Sequence, residues 1–316
     1  RYAAVVAATM AVVGTLVFAR DGRSEAAPEA RAAAAQSVPA RLAQQPAAGQ
    51  AASQEDFRWT GRLARGQQIE IQGIVGDVRA EIASGDQVEV VGRRSGEDAD
   101  RVRIEVVETR NGVIVCAIYP TRGEWRGNRG TGSHRGQDSC HNEDNDHNND
   151  GDHDGGEIDA EDARVDFTVR VPAGVKFASR TVAGDVSATG LRSAVDVATV
   201  SGEVRVSTTG TARAATVSGD VTATFGETDG EEMEFASVSG DVILRLAGDV
   251  NAEVSAHTLS GDIQSDFDLR MKGEDEDDDD GFHIQIGSEA TGRIGRGGPE
   301  LSVNTVSGNI RLERVR

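Results

Sequence analysis

After about residue 56, apolar and polar residues alternate along the chain, and a six-residue motif organises the alternation. Val, Ile and Leu recur at every second position with Ser, Thr or charged residues between them, which is typical of β-strands with one buried face. The motif is Thr-Val-Ser-Gly-Asp-Val or a close variant of it. Its copies begin at Thr199, Thr216, Ser237, Thr258 and Thr305, with looser copies at Thr181 and Ile74.

A glycine lies at the predicted bend of each copy, because glycine gives the backbone the freedom that a tight bend needs. The predicted bend glycines are Gly184, Gly202, Gly219, Gly240, Gly261 and Gly308. The first five are 18, 17, 21 and 21 residues apart. One such period holds about two strands of ~5–6 residues with their connections. A short regular period indicates a stacked-repeat architecture.

The predicted fold class is therefore all-β. No segment from Phe57 onward keeps apolar residues at helical spacing. We expect a β-solenoid or β-helix-like roll of stacked short strands, in which each unit buries its face against its neighbours. With 4% aromatic and 37% hydrophobic residues, the core must consist of small aliphatic side chains, and the valines of the motif are predicted to form it.

Stacking would align the polar residues around the bends, and two interpretations of that row remain open. One is a calcium-bridged carboxylate ladder, as in calcium-binding β-rolls, although the paired glycines and shorter period of those repeats are missing here. The other is bend chemistry, in which Ser and Asp side chains hydrogen-bond to bend amides. The residues in question are Asp185, Glu203, Asp220, Asp241, Asp262 and Asn309, with Ser201, Ser218, Ser239, Ser260 and Ser307 beside them.

The chain divides into three regions. An uninterrupted apolar run, Ala3–Ala19, follows Arg1, so residues 1–19 are expected to be a signal peptide or a membrane anchor. Residues 20–56 are rich in Ala, Gln and Pro and are predicted to be a disordered linker. Residues 57–316 form the β-repeat domain, with acidic inserts at 126–162 and 272–281. The protein is thus expected to be exported to the cell envelope, as a periplasmic or surface protein, with a membrane tether if residues 3–19 are retained.

Export favours a disulfide between the two cysteines, Cys116 and Cys140. Closing a loop of that length would stabilise the fold by roughly 3–4 kcal/mol in the chain-entropy model. Zinc binding through Cys140 and His141 is the alternative.

The net charge of -20 is concentrated in two segments. Asp138–Asp162 holds eleven acidic residues and no Lys or Arg, and Glu274–Asp280 holds seven acidic residues in succession. Together they carry -18, which leaves about -2 for the rest of the chain. Blocks of like charge stay solvated and often serve as interaction segments. Without a basic patch, nucleic acid is not an expected partner.

The first acidic segment also matches the spacing of a calcium-binding loop. Asp150, Asp152 and Asp154 take its first, third and fifth places, and Glu161 takes the twelfth. The eighth place holds Glu157 instead of an apolar residue, so a solvated loop without metal is the competing interpretation. His134, His141, His147 and His153 lie in or beside the same segment, but their spacing matches no ordered transition-metal motif. Calcium is therefore the one cofactor considered, and none is required.

An enzyme is not expected, because the serines of the motif lack a nucleophile-elbow pattern and a repeat-borne histidine partner. Paired carboxylates formed by the fold would be needed for a glycan-active β-helix enzyme, which is the third functional hypothesis.

The repeats and the C-terminal segment Ala290–Arg314 resemble the bacterial "putative-adhesin" family, as does the segment Arg62–Arg94. The resemblance covers most of Phe57–Arg316 and implies a β-helix-like fold without assigned binding residues. The first functional hypothesis is a non-catalytic adhesion or interaction module that binds an envelope or surface protein, or a glycan. The alternative is an envelope-stress or regulatory sensor.

Overall fold

The computed structural model describes residues 56–119, 162–226, 231–247, 250–271 and 287–315, and it confirms the all-β prediction. The residues from Asp56 onward belong to one compact unit. One short 3-10 helix, Ala99–Arg101, interrupts the strands of the described residues. The strands are β1 (Phe57–Gly61), β2 (Gln68–Gln72), β3 (Val78–Ile82), β4 (Val88–Ser95), β5 (Arg103–Thr109), β6 (Gly112–Ile118), β7 (Arg164–Val171), β8 (Lys176–Ala183), β9 (Val186–Leu191), β10 (Val195–Ser201), β11 (Val204–Thr208), β12 (Ala212–Ser218), β13 (Val221–Phe225), β14 (Met233–Ser239), β15 (Val242–Leu246), β16 (Ala252–Ser260), β17 (Ile263–Ser265), β18 (Leu269–Met271), β19 (Ser288–Ile294), β20 (Glu300–Ser307) and β21 (Ile310–Arg314).

The strands form two sheets. Sheet A has ten strands in the order β1-β4-β7-β3-β9-β11-β13-β15-β21-β17, and sheet B has eleven in the order β18-β19-β16-β20-β14-β12-β10-β8-β2-β6-β5. Pairing in the middle of both sheets is parallel, for example β10 with β12 and β11 with β13. At both ends of sheet B and at one end of sheet A the pairing becomes antiparallel, as between β1 and β4 or β16 and β19, whereas β17 pairs in parallel with β21.

Each motif copy makes one coil of a solenoid. A strand of sheet B leads through the Ser-Gly bend into a strand of sheet A, and the next coil stacks beside it in parallel register. In this way β12 leads through Gly219 into β13, and β14 leads through Gly240 into β15. The stacked β-solenoid expected from the period of the repeat is therefore confirmed.

The core lies between the two sheets and is built from small aliphatic side chains. Val204, Val221 and Val242, which follow the bends, are fully buried in it. Few aromatic rings contribute, and two of them, Phe225 and Phe235, stack with their centroids 5.5 Å apart. A thin core of this kind suits a chain whose strands alternate at period two.

The expectation that all valines of the motif form the core is wrong. Thr216 is 1% exposed and points into the protein, whereas Val217, the next residue, is only partly buried on the outer face of sheet B. The same holds for the other copies. In every copy but that of Thr181, the inward hydroxyl donates a hydrogen bond inside the protein. The hydroxyl residue can therefore take the inward position, and the aliphatic residue beside it must face outward.

The coils do not stack in sequence order. The last coil, β20 and β21, lies between the coil of β14 and β15 and the coil of β16 and β17. Asn309 therefore stands between Asp241 and Asp262 in the row of bend residues, and not after them as sequence order implies.

Candidate interaction surface

The bend is held by a hydrogen bond between neighbouring coils. The hydroxyl of Thr216 donates to the carbonyl oxygen of Gly202 at 3.1 Å, and that of Thr199 donates to Gly184 at 3.1 Å. Ser237, Thr305 and Thr258 repeat the contact with distances of 3.0, 3.1 and 2.9 Å to the glycine carbonyl of the adjacent coil. Each buried hydroxyl thus satisfies a carbonyl group that the bend takes out of the strand ladder.

The bend glycines are required by close packing between coils. Gly219 has a φ of 146°, and a Cβ atom there would overlap the carbonyl oxygen of Gly202. Gly184, Gly202, Gly240, Gly261 and Gly308 have φ values of 147°, 152°, 153°, 152° and 158°, and a Cβ atom at each would meet the backbone of the adjacent coil. These glycines therefore shape the scaffold and leave no room for a side chain at the bend.

The acidic residues after these glycines form a row along the bends. Oδ1 of Asp220 accepts the backbone N–H of Asp241 at 2.8 Å, and Oδ1 of Asp241 accepts that of Asn309 at 2.7 Å. In the same way, the next coil donates a backbone N–H to the side-chain Oδ1 of Asp77, Asp185 and Asn309. At Glu203 the longer side chain pairs with Arg205 instead. This geometry is that of bend chemistry, with a carboxylate of one coil serving an amide of the next.

Arginines neutralise part of this row. Arg164 pairs with Asp77 at 2.7 Å and with Asp166 at 2.8 Å. Burial lowers the pKa of Arg164, but the hydrogen bonds and charges of Asp166 and Asp77 outweigh it, so the pKa of Arg164 is raised. Arg311 pairs with Asp241 at 3.2 Å. The negative charge of the row is thus partly neutralised by arginines. Among the described residues, no group of three or more His, Cys, Asp or Glu side chains is arranged to hold a metal ion.

The residues that flank the two acidic segments lie at the same edge of the solenoid as the bends. β6 runs parallel to β2 and ends at Ile118, and β7 begins at Arg164 beside β3. Ser288, the second described residue after the second segment, donates to the carbonyl oxygen of Gly261 at 3.2 Å. The described residues next to both segments therefore lie at the bend edge.

Next to the bends, the outer face of sheet B carries a row of aliphatic side chains. We call this row the valine stripe. Its members lie at the second position of each motif copy, on adjacent strands. In spatial order they are Val182, Val200, Val217, Val238, Val306 and Leu259. The valines are partly exposed, and Leu259 is 45% exposed. Ala198, Ala215 and Ala236, which are mutual Cα partners, form a second apolar row beside the stripe.

Charged residues border the two apolar rows. Asp196, Arg213 and Glu234 are Cα partners on successive strands and alternate in sign. Arg180 pairs with Asp196 at 3.1 Å. The bend serines and carboxylates lie along the opposite side of the stripe. An apolar centre with a polar border is the usual composition of a protein-binding surface.

The outer face of sheet A is different. The equivalent positions there hold Thr222, Thr224, Arg205 and Arg245, and Arg245 pairs with Glu313 at 2.9 Å. The core is built from the inner faces of both sheets, so packing there does not fix the composition of the outer faces. Only the sheet B face has a continuous row of aliphatic side chains within the described residues.

Tyr119 fills the looser bend of the copy at Ile74. Its hydroxyl donates to the carbonyl oxygen of Val75 at 2.8 Å, and its side chain is 2% exposed. Burial is the main cause that raises the pKa of Tyr119 to about 12. This side chain closes the coil at the last described residue before the first acidic segment.

Several predicted site residues lie outside the described residues, and the predictions for them stand untested. They are Cys140, the calcium-loop residues Asp150, Asp152, Asp154 and Glu161, and the histidines at 134, 141, 147 and 153. Cys116 lies in β6, 5% exposed, beside Gln72 and Glu105. Its predicted disulfide to Cys140 stays a prediction. The apolar run Ala3–Ala19 also lies outside the described residues. In the described part of the chain, no helix has the length and hydropathy of a membrane span.

Comparison with known proteins identifies the family. Residues 147–313, which are more than half of the chain, match the family model described as Toastrack DUF4097. The chain belongs to the Toastrack DUF4097 family. No curated protein matches the chain.

Two solved structures are similar to this member of the Toastrack family at low identity. One is a "putative cell adhesion protein" from Clostridium sporogenes ATCC 15579, with 8% identity, a TM-score of 0.40, and coverage of 83% of this chain and 100% of the other. The second is a "putative adhesin" from Bacteroides fragilis NCTC 9343, with 11% identity, a TM-score of 0.31, and coverage of 83% and 98%.

Proposed function

We propose that this Toastrack protein is a non-catalytic interaction module of the cell envelope, and that it binds a partner protein through the valine stripe. The observation that carries the proposal is the partial exposure of an aliphatic row that crosses six adjacent strands. Each valine of the stripe keeps part of its surface exposed, and Leu259 is 45% exposed, so a partner can reach the row. An apolar row with a charged border has the composition of an interaction surface.

The dimensions of the stripe indicate how much of an interface it would supply. Six strands spaced ~4.8 Å apart span about 24 Å, and the alanine row widens the stripe on only three of them, so the apolar area is roughly 200 Å². A stable interface buries about 800 Å² on each partner. The stripe would thus be the centre of the interface, and the alternating charges of Asp196, Arg213 and Glu234 would belong to its rim.

The composition of the stripe favours a protein as the partner. It displays methyl groups of Val, Leu and Ala, whereas binding to a sugar ring usually involves an aromatic side chain. The described aromatic residues belong to the core or pack against it, as Phe57 and Trp59 do. A flat aliphatic face with a charged border fits a protein surface of the same kind.

Location in the envelope rests on the sequence. The run Ala3–Ala19 has the composition of an export signal or an anchor, and a disulfide between Cys116 and Cys140 would suit an oxidising compartment. Export to the envelope would place the stripe where a surface or envelope protein could bind it.

The proposal is tested by charge substitution on one face at a time. Val217→Glu with Val238→Glu introduces two carboxylates into the stripe. The matched control, Thr222→Glu with Ile243→Glu, introduces them at neighbouring positions of the same two coils on the opposite face. Labelled full-length protein is titrated onto envelope fragments of the cells that produce it, after circular dichroism has shown that each variant is folded.

We expect saturable binding by the wild type and by the control, and at least a tenfold weaker binding by the stripe variant, because burying an unpaired carboxylate costs more than 1.4 kcal/mol. Equal binding by the two variants, or no saturable binding by the wild type, would refute the assignment of the stripe.

A further inference from the structure

The C-terminal coil occupies a slot between two parts of the fold that precede it in the chain. β20 pairs in parallel with β14 on one side and with β16 on the other. In the other sheet, β21 lies between β15 and β17 in the same manner. We call β16–β19 the cap. Its strands come directly after β15 in the chain but lie one coil further along the solenoid.

The coil is specified by contacts with both walls of the slot. Thr305 donates to the carbonyl oxygen of Gly240 at 3.1 Å, and Asn309 donates its backbone N–H to Asp241 at 2.7 Å. On the cap side, Thr258 donates to the carbonyl oxygen of Gly308 at 2.9 Å. Leu301, Val303 and Ile310 are fully buried. The slot is therefore matched to a coil with the pattern of this C-terminal segment.

The cap depends on this coil for its attachment. Within the described ranges, every strand pairing that joins the cap to the rest of the solenoid involves β20 or β21. All elements that form the slot are complete in the chain before Glu300. The segment that fills it therefore completes the fold from the chain's C-terminal side.

The segment is joined to the strand before it by one short link. Five residues, Gly295–Pro299, connect β19 to β20. They pass beside Asn251, next to the start of β16, where the backbone N–H of Arg296 donates to Oδ1 of Asn251 at 2.8 Å. Three of these five are glycines, and Gly295 and Gly297 adopt φ values of 63° and 76°. Such a link has the backbone freedom of a hinge.

We propose that Glu300–Arg314 is an exchangeable coil, through which two copies of this chain form a domain-swapped dimer. In the dimer, each copy inserts its C-terminal coil between β14 and β16, and between β15 and β17, of the other copy. All contacts of the slot are then remade between chains, and only the hinge changes conformation. Exchange of an identical element is a low-cost route to a dimer.

A second copy is the occupant that the slot fits. Asn309 forms hydrogen bonds with both walls of the slot. Its backbone N–H donates to Oδ1 of Asp241, and its side-chain Oδ1 accepts the backbone N–H of Asp262 at 3.0 Å. The C-terminal coil of another copy carries the same residues at the same distance from the same hinge.

The exchange is tested by disulfide trapping in the full-length protein. Ala236 and Asn304 are Cα partners on the outer face of β14 and β20, at the short separation that a disulfide needs. Ala236→Cys with Asn304→Cys will link the coil to its slot. After unfolding and refolding at high protein concentration, followed by oxidation, we expect a covalent dimer on non-reducing gels, in a yield that rises with protein concentration.

The control pair is Ala215→Cys with Ala236→Cys, which joins β12 to β14 inside one copy. We expect it to give only covalent monomer, as does the parent chain with its two native cysteines. Covalent monomer from the Ala236→Cys, Asn304→Cys variant at every concentration would overturn the proposal.

A measurement on the unmodified sequence does not depend on these variants folding. Two wild-type preparations with different affinity tags are unfolded together, refolded together and purified on one tag. Recovery of both tags in a particle of twice the monomer mass by light scattering is expected, and recovery of the first tag alone, as a monomer, would overturn the proposal.

Deletion of Gly297 and Gly298 shortens the hinge and should increase the dimer fraction, because a short strained hinge promotes swapping. An unchanged or lower dimer fraction would also count against the proposal.

Discussion

The hydroxyl of Thr216 donates a hydrogen bond to the carbonyl oxygen of Gly202, 3.1 Å away in the adjacent coil. This bond joins the first residue of one motif copy to the bend glycine of the previous one. It places a polar side chain in the interior and directs the next residue, Val217, to the outer face. The core of the solenoid and the aliphatic row on its surface therefore have the same cause.

Thr216→Val should destabilise the protein by about 1–2 kcal/mol, because the carbonyl oxygen of Gly202 loses its partner while the shape of the side chain is kept. Urea unfolding of wild type and variant measures the difference. Thr181 provides the matched control, because its hydroxyl is buried at the equivalent position without a hydrogen-bond partner. Thr181→Val should be neutral or stabilising, and an equal loss in both variants would contradict the role of the bond.

Gly219→Ala should cost about 3–5 kcal/mol, the range of severe backbone and overpacking effects. The φ of 146° disfavours any side chain, and the new Cβ would overlap the carbonyl oxygen of Gly202. Thermal unfolding checks this. Gly85→Ala is the control, because a Cβ at Gly85 would meet no atom within 4 Å. A small effect of Gly219→Ala would mean that the coils can move apart.

The repeat was sufficient to predict the strands, the bends and the solenoid, because period-two alternation and bend glycines are local features. The order of the coils could not be predicted. The copies at Thr258 and Thr305 carry nearly the same motif, so either could pair with the coil of Ser237. The choice is made by long-range packing and by the antiparallel pairing of β16 with β19.

The valine stripe was missed although the sequence contains a signal for it. Arg213 is charged and must face outward, and Val217 follows it by four residues in the same strand, so the two share a face. Glu234 and Val238 stand in the same relation. Strand alternation does not continue across the bend, so the valine before the bend faces outward although the valine after it is buried.

The carboxylate row should tolerate amides better than truncation. Oδ1 of Asp220 accepts the N–H of Asp241 at 2.8 Å, and the amide oxygen of Asn309 already fills the same role two positions along the row. Asp220→Asn keeps the acceptor and should change the free energy of unfolding by less than about 0.5 kcal/mol, whereas Asp220→Ala should lose about 1 kcal/mol. Chemical unfolding of both variants distinguishes them, and equal values would show that the side-chain oxygen is not a stabilising acceptor.

Tyr119 should make the protein sensitive to alkaline pH. Its pKa is raised to about 12 in the folded protein, against about 10 in an unfolded chain. The folded state holds the proton more tightly, so the contribution is complete below pH ~10 and is lost as the pH rises from about 10 to about 12, by roughly 2–3 kcal/mol in total.

Tyr119→Phe has no proton to lose. It should be less stable than the wild type by about 1 kcal/mol at pH 8, where the hydrogen bond to Val75 is missing, and the deficit should shrink or reverse by pH ~11.5. The comparison is clean because the chain has only two tyrosines, and lysines only at positions 176 and 272. Urea unfolding of both proteins at several pH values measures the slopes. The same decline with pH in both would show that another group is responsible.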